Sequence, residues 1–383
     1  MKIAFVSDVI YPFVKGGAEK RIYDFSTRLA RRGHEVHVFG VRWWEGAGSF
    51  EVGGVAVHGV CSPIRLYAGG KRSIVEPLAF SAALAKQLAG LSFDLIDASE
   101  FPYIPCFTSS IAARATSAPL VVTWHEVWGA YWSQYLGPLG CLGRVVERTV
   151  ASLSDHCIAV SQKVQQDLLT LGVSPSHISV APNGVDFEEV NRVHPSGRTF
   201  DIVFVGRLIP EKNLDLLLES VVILARIRPS IRCAIVGEGP ESRRLNNLAS
   251  RLGVSDRVLF LGTLRSHEDV LSLLKAARVF VLPSSREGFS MILAEAKACG
   301  LPAIVYSGPQ TAAPDMIEDE RDGFLFHTLD AQQVASLIEK LLSKETLRTE
   351  FSKRAYAAAK RYDLSQIVPE LENIYHTVLD GSL

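Results

Sequence analysis

At 383 residues the chain is longer than one hydrophobic core usually grows, which predicts two domains. Its 48% hydrophobic and 21% charged residues are those of a globular protein. A net charge of −1 removes any bulk electrostatic case for nucleic acid or an acidic polymer, and the local KRS stretch at 71–73 reads as a solvated loop. The six cysteines are scattered, with no CxxC pair and no histidine at zinc spacing, which predicts a reducing cytoplasm and no structural metal. The apolar run after Lys2 is too short for a signal peptide, and none approaches the ~20 residues of a spanning helix. The expected location is the cytoplasm.

In chain order, short β-branched runs alternate with amphipathic segments, the pattern of helices covering parallel sheets. The first half offers strands KIAFVS (2–7), EVHVFG (35–40), VAVHGV (55–60), DLIDAS (94–99), LVVTWH (120–125) and HCIAVS (156–161). After the first of them, AEKRIYDFSTRLARRG has helical spacing and Gly33 to close it. Polar and turn residues in RVHPSGRTF (192–200) interrupt the periodicity. The alternation then restarts with strands DIVFVGRL (201–208), RCAIVGEG (232–239), RVLFLG (257–262), RVFVLPS (278–284) and PAIVYS (302–307), with NLDLLLESVVILARI (213–227) as a helix between them. The reading is α/β: two doubly wound Rossmann-like domains, 1–194 and 195–363, with QIVPELENIYHTVL (366–379) as a surplus helix in the tail 364–383.

Ligands of parallel α/β sheets bind beyond the carboxyl ends of strands, where helix N-termini also point. Four motifs fall at such positions. DVIYPFVKGGAEK (8–20) brings Gly16 and Gly17 to a helix start, where backbone can approach an anion closely. VGRLIPEKN (205–213) sets Arg207 and Lys212 in one strand–loop–helix step, a planar fork and a point charge suited to a pyrophosphate. VGEGP (236–240), with Gly237, reads as backbone beside a nucleotide or as a tight turn. In PSSREGFSMILAEAKACGLP (283–302), Glu287 lies outside the helix and Ser290 is a natural N-cap, while Glu295 lies in the second turn. The N–H groups of Gly288, Phe289 and Ser290 form a mouth for an anion or hydroxyl, and each carboxylate can accept from vicinal hydroxyls. The alternative for Glu295 is a pair with Lys297 or a distant Arg. In the first domain TWHEVWG (123–129) places His125 at a strand end, a candidate for touching a sugar or reacting centre. Trp43, Trp44, Tyr67, Trp128, Tyr131, Trp132 and Tyr135 are candidates for lining an acceptor site, with core packing as the other reading.

Taken in order, GGAE, PNGVD (182–186), GRL…EK (206–212), VGEGP and the E-x7-E pair in REGFSMILAEAKACGLP resemble the retaining GT-B glycosyltransferases of family 4, "glycosyl transferases group 1", over almost the whole chain. The resemblance implies two Rossmann-like domains facing a cleft, with the last helix crossing back to the first domain. It implies an NDP-sugar co-substrate without cofactor, and transfer of a hexosyl group to a glycan, lipid-linked or small-molecule acceptor with retention. By position, Arg207 and Lys212 would hold the diphosphate. Glu287 would bind the transferred sugar beside Gly288, Phe289 and Ser290, and Glu295 the ribose. Gly16 and Gly17 would meet the diphosphate, and His125 the donor sugar. It leaves room for peripheral membrane contact through the first domain, at the inner face. Ser290, SGPQ (307–310) and Glu126 after His125 depart from the common pattern and bear on sugar preference. No D-x-D motif stands at a strand end of the donor domain, which favours metal independence. An epimerase or hydrolase on the same fold, or a non-catalytic nucleotide-sugar binder, are the competing expectations.

Overall fold

The computed structural model describes residues 1–68 and 71–381. Gly69, Gly70, Ser382, Leu383 and the side chains at 67, 68 and 71 are excluded, so the Tyr67 ring and Lys71 ammonium of the sequence reading lie outside the described residues. The chain divides into two units, Met1–Gly184 with Leu364–Leu383, and Val185–Asp363.

The first unit opens with β1 (Lys2–Val6), α1 (Gly17–Arg31) and β2 (Glu35–Val41). β3 (Ser49–Val52) and β4 (Val55–Cys61) add an antiparallel edge, and β5 (Tyr67–Ala68) pairs with β6 (Lys71–Arg72) in a small hairpin. α2 (Val75–Leu88), β7 (Leu95–Ser99), α3 (Ile104–Thr116) and β8 (Leu120–Trp124) follow. α4 (Tyr131–Leu136), α5 (Gly140–Leu153), β9 (His156–Ala159), α6 (Gln162–Leu171) and β10 (Ile178–Val180) complete the run. The sheet order is β10-β9-β8-β7-β1-β2-β4-β3, parallel except at β3. β7, β8 and β9 are buried throughout, because helices on both faces leave no side for polar residues. After β4 the chain returns to the other side of β1 as β7, so the winding reverses between β1 and β7. Arg72 of the KRS stretch is no solvated cation: it forms a close ion pair with Asp8, just past β1, and a second with Glu76 at 3.2 Å.

The second unit runs α7 (Phe187–Arg192), β11 (Phe200–Val205), α8 (Leu214–Ile227), β12 (Cys233–Val236), α9 (Ser242–Arg251) and β13 (Val258–Gly262). It continues through α10 (His267–Ala276), β14 (Ala277–Leu282), β15 (Arg286–Glu287), α11 (Met291–Ala298), β16 (Ala303–Tyr306) and β17 (Gln310–Thr311). β18 (Gly323–Phe326), α12 (Ala331–Ser343) and α13 (Glu345–Ala359) end it. The parallel order β13-β12-β11-β14-β16-β18 reverses between β11 and β14. The sequence boundary at 194/195 falls too late: Val185, Phe187 and Val190 are buried in the second unit's core, so the turn-rich 192–200 lies inside that unit.

The last helix, α14 (Leu364–Leu379), packs with the first unit. Leu364, Ile367, Val368, Leu371 and Tyr375 recur at helical spacing and join a core with Ile3, Phe5, Phe25 and Leu29. The Tyr375 hydroxyl donates to Asp97 at 2.5 Å, tying the helix to the end of β7. Among the described residues no helix is long and apolar enough to cross a membrane. Leu371 is fully buried, so Leu371→Ala should destabilise the first unit by about 2–5 kcal/mol. Urea unfolding followed by tryptophan fluorescence measures this, since all five tryptophans lie in that unit.

Candidate active site

In a doubly wound sheet the loops at the winding reversal splay apart and leave room for a ligand. In the second unit those are the loops after β11 and β14, and they carry Arg207, Lys212, Glu287 and the start of α11. The two loops are laced together. Asn213, in the left-handed region at φ 48°, donates its side-chain amide to the Pro283 carbonyl at 2.8 Å. The Ser285 N–H donates to the Glu211 carbonyl at 2.9 Å. Lys212 Nζ then lies 2.5 Å from Glu287 Oε1, with both side chains largely buried. Arg207 is exposed in the same turn.

Glu287 stands in a short strand, where the sequence reading has a loop. β15 pairs in parallel with β17 through Arg286–Gln310 and Glu287–Thr311, and the Ala312 N–H donates to the Glu287 carbonyl at 2.7 Å. The SGPQ departure thus feeds the strand that fixes Glu287. Ser290 occupies the N-cap position of α11, but its hydroxyl makes no capping bond, contrary to the expected N-cap. Ser290 Oγ is instead buried without a hydrogen-bond partner, at the same helix start as Gly288 and Phe289.

Glu295 is buried in α11 and does not pair with Lys297. Lys297 is committed elsewhere, 2.8 Å from Asp322 in a fully buried pair. The partner near Glu295 is His267, at the start of α10, with Nε2 3.3 Å from Oε1; the same nitrogen lies 3.9 Å from Glu189. His267 was missed by sequence reasoning because only the fold brings α10 to α11. Gly237 has φ +121°, and a Cβ there would stand 2.0 Å from the Gly206 carbonyl oxygen. Its glycine is accounted for by backbone packing against the turn that carries Arg207.

In the first unit, Gly16 is the extended N-cap of α1 and Gly17 its first residue. His125 follows β8 in a pocket with Arg21, Asp97, Ser99 and Thr123. Asp97 accepts from Thr123 Oγ1 at 2.8 Å and from Tyr375, while Arg21 donates to the Pro182 carbonyl at 2.8 Å and to Asn183 Oδ1 at 3.0 Å. Burial, reinforced by Arg21, pulls the His125 pKa down to about 3. Burial raises Asp97 to about 6 against the opposing bonds from Tyr375 and Thr123 and the charge of Arg21.

Two buried carboxyls outside the motifs hold the backbone next to His125. Glu100 Oε1 accepts from the Glu126 N–H at 3.2 Å, and burial pushes its pKa well up. Glu147 accepts from the Trp128 and Gly129 N–H groups at 2.7 and 2.9 Å and from Tyr103 at 2.9 Å. The aromatic candidates separate. Trp128, Tyr131, Trp132 and Tyr135 form one ring cluster, with Trp128 stacked on Phe101 at 5.1 Å. Trp44 packs on Phe13 and Phe50, and Trp43 donates to the Asp8 carbonyl at 2.9 Å.

A double-reversal α/β pair with a cation–carboxylate site at the second reversal defines the class as a GT-B glycosyltransferase, and the comparisons agree. Residues 15–189 match Glycosyltransferase Family 4 and residues 186–358 match Glycosyl transferases group 1. The chain belongs to the family 4 type of GT-B glycosyltransferases. It is 27% identical to a phosphatidylinositol N-acetylglucosaminyltransferase of Arabidopsis thaliana, over 90% of this chain and 74% of that one. Sucrose-phosphate synthase of Thermosynechococcus elongatus has the same fold at TM-score 0.82 and 20% identity, covering 99% of both chains. Anabaena HepE in complex with UDP-glucose superposes at TM-score 0.76 and 20% identity, covering 98% of this chain and all of that one.

The fold disfavours the charged form of His125, so its contribution to stability is full above ~6.5 and is lost as pH falls toward about 3. In proton NMR the His125 ring should therefore not titrate between about pH 8 and about pH 5. A midpoint near ~6.5 contradicts the buried neutral imidazole.

Proposed function

We propose that the chain transfers a hexosyl group from a nucleoside-diphosphate sugar to a glycan or lipid-linked acceptor, with retention and without a metal ion. The observation that carries this reading is the pairing of Lys212 with Glu287 at 2.5 Å across the winding reversal, beside the start of α11. Lys212 and Arg207 offer two cations to a diphosphate, and the unpartnered Ser290 hydroxyl and helix N–H groups add neutral donors. A diphosphate that draws Lys212 away frees Glu287 oxygens for hydroxyls of the transferred sugar. Glu295 is assigned to the ribose, with Gly237 shaping the turn beneath Arg207. His125, Gly16 and Gly17 are assigned neutral hydrogen-bonding roles toward the substrates. HepE carries UDP-glucose, and the Arabidopsis relative is named for a phosphatidylinositol acceptor, which supports both substrate classes.

The chemistry suits front-face attack. The acceptor oxygen bonds to the anomeric carbon as the bond to the leaving phosphate oxygen breaks, and that oxygen takes the acceptor's proton. Lys212 and Arg207 stabilise the charge that grows on the diphosphate. Glu287, paired with a cation, serves as a hydroxyl acceptor and forms no covalent intermediate.

A thermal-shift screen of UDP-, GDP- and ADP-sugars should give one donor class that stabilises the chain by mass action. With that donor, Lys212→Ala and Arg207→Ala should each lower turnover about 10²–10³-fold without loss of fold, and EDTA should leave turnover unchanged. Near-normal turnover in both variants overturns the assignment. Inversion at the anomeric carbon, read by NMR of the product, overturns retention.

A further inference from the structure

We infer that the outward face of α2, α3 and α5 docks on an anionic lipid bilayer. These helices form one layer against the first unit's sheet, α2 beside α3 and α3 beside α5. Thirteen large apolar side chains are exposed among the described residues, and seven of them stand on this layer. Ile74, Val75 and Leu78 lie at the start of α2, and Ile111 lies in α3. Leu139, Leu142 and Val145 lie at the start of α5. Each keeps at least 53% of its surface exposed, which is costly in water unless something covers it.

Charge identifies the cover. The chain as a whole has 41 acidic and 40 basic residues, yet these three helices contain only two carboxylates, Glu76 and Glu147. Both are buried, at 1% and 0% exposure, and point their bonds inward to Arg72 and to the loop after β8. The exposed charges of the layer are all cations: Lys86, Arg114, Arg144 and Arg148. α6, next to α5, ends the patch, since it exposes Asp167 paired with Lys163. Apolar side chains among unopposed cations on an acid-free surface match the headgroup and acyl boundary of an anionic leaflet. A protein partner of ordinary mixed charge would meet no carboxylate there to pair with its own cations. The inference is independent of the donor assignment.

The test is co-sedimentation of the full chain with phosphatidylglycerol-containing vesicles and with pure phosphatidylcholine vesicles, at low and high salt. The expected result is binding to the anionic vesicles, weakened by salt and absent on neutral ones. Two double variants on exposed positions, L142E/V145E and R144E/R148E, should each weaken that binding at least about tenfold, with melting temperatures near wild type. Wild type that stays in the supernatant, or variants that bind as well as wild type, overturns the inference. Concentration-dependent dimerisation abolished by L142E/V145E, without vesicle binding, assigns the face to a second copy and also overturns it. The donor thermal shift, run on the same preparations, reads the glycosyltransferase assignment separately.

Discussion

The contact on which the donor-side site depends is the short ion pair between Lys212 and Glu287. The two residues are 75 positions apart, and the winding reversal between β11 and β14 makes their loops neighbours. Largely buried charges are costly unless paired and hydrogen-bonded, so the pair constrains both loops to one geometry. The Asn213–Pro283 and Ser285–Glu211 bonds supply the remaining lacing from the backbone. The β15–β17 ladder then fixes Glu287 from its other side. A change at any of these points acts on the site through the position of Lys212 or Glu287.

The first unit solves a different electrostatic problem. Its reversal, between β1 and β7, holds buried Arg21 and Asp97 side chains that Tyr375 of the last helix helps to satisfy. The arginine and carboxylate surround His125 with fixed charge while burial keeps the imidazole neutral. This gives α14 a second reason to sit where it does. Its apolar face fills the core, and its one buried hydroxyl supports the floor under His125. Glu100 and Glu147, from β7's end and α5, hold the adjoining backbone, so the strand-end histidine sits in a rigid frame.

Much of the fold was legible because helix-covered parallel strands are written as apolar β-branched runs. All eleven strands read from sequence coincide with observed ones, with shifts confined to their ends. What escaped was short or depended on distant pairing. ISV at 178–180 and GFLF at 323–326 are too brief to show a period, and SFEV at 49–52 is an edge strand with alternating exposure. β15 and β17 exist only because each finds the other. The motif residues at the second reversal were legible as a group, because strand ends followed by Gly, Lys and Glu are local signals. His267, Glu100 and Glu147 were not, because their roles come from packing. Gly237 was legible as a special backbone position, yet the close approach of the Gly206 carbonyl, visible only in three dimensions, gives the reason.

The two glutamates of the E-x7-E stretch show why spacing alone does not settle chemistry. Both are acids on one short segment, and a paired general acid and base would need environments that push their proton affinities apart around one reacting bond. Their surroundings differ in another way. Glu287 lies in a strand pair and faces an ammonium on a mobile stem, a partner that an incoming polyanion can outcompete. Glu295 lies inside a helix, buried, and faces the imidazole of His267, with Glu189 beyond it. The first carboxylate can therefore exchange its partner when ligand arrives, while the second is set in a fixed shell. Carboxylates of that kind suit hydroxyl recognition at two points along one extended ligand better than proton transfer at a single atom. The distance between those points is set by the strand–turn–helix step itself, through the backbone from Gly288 to Ser290.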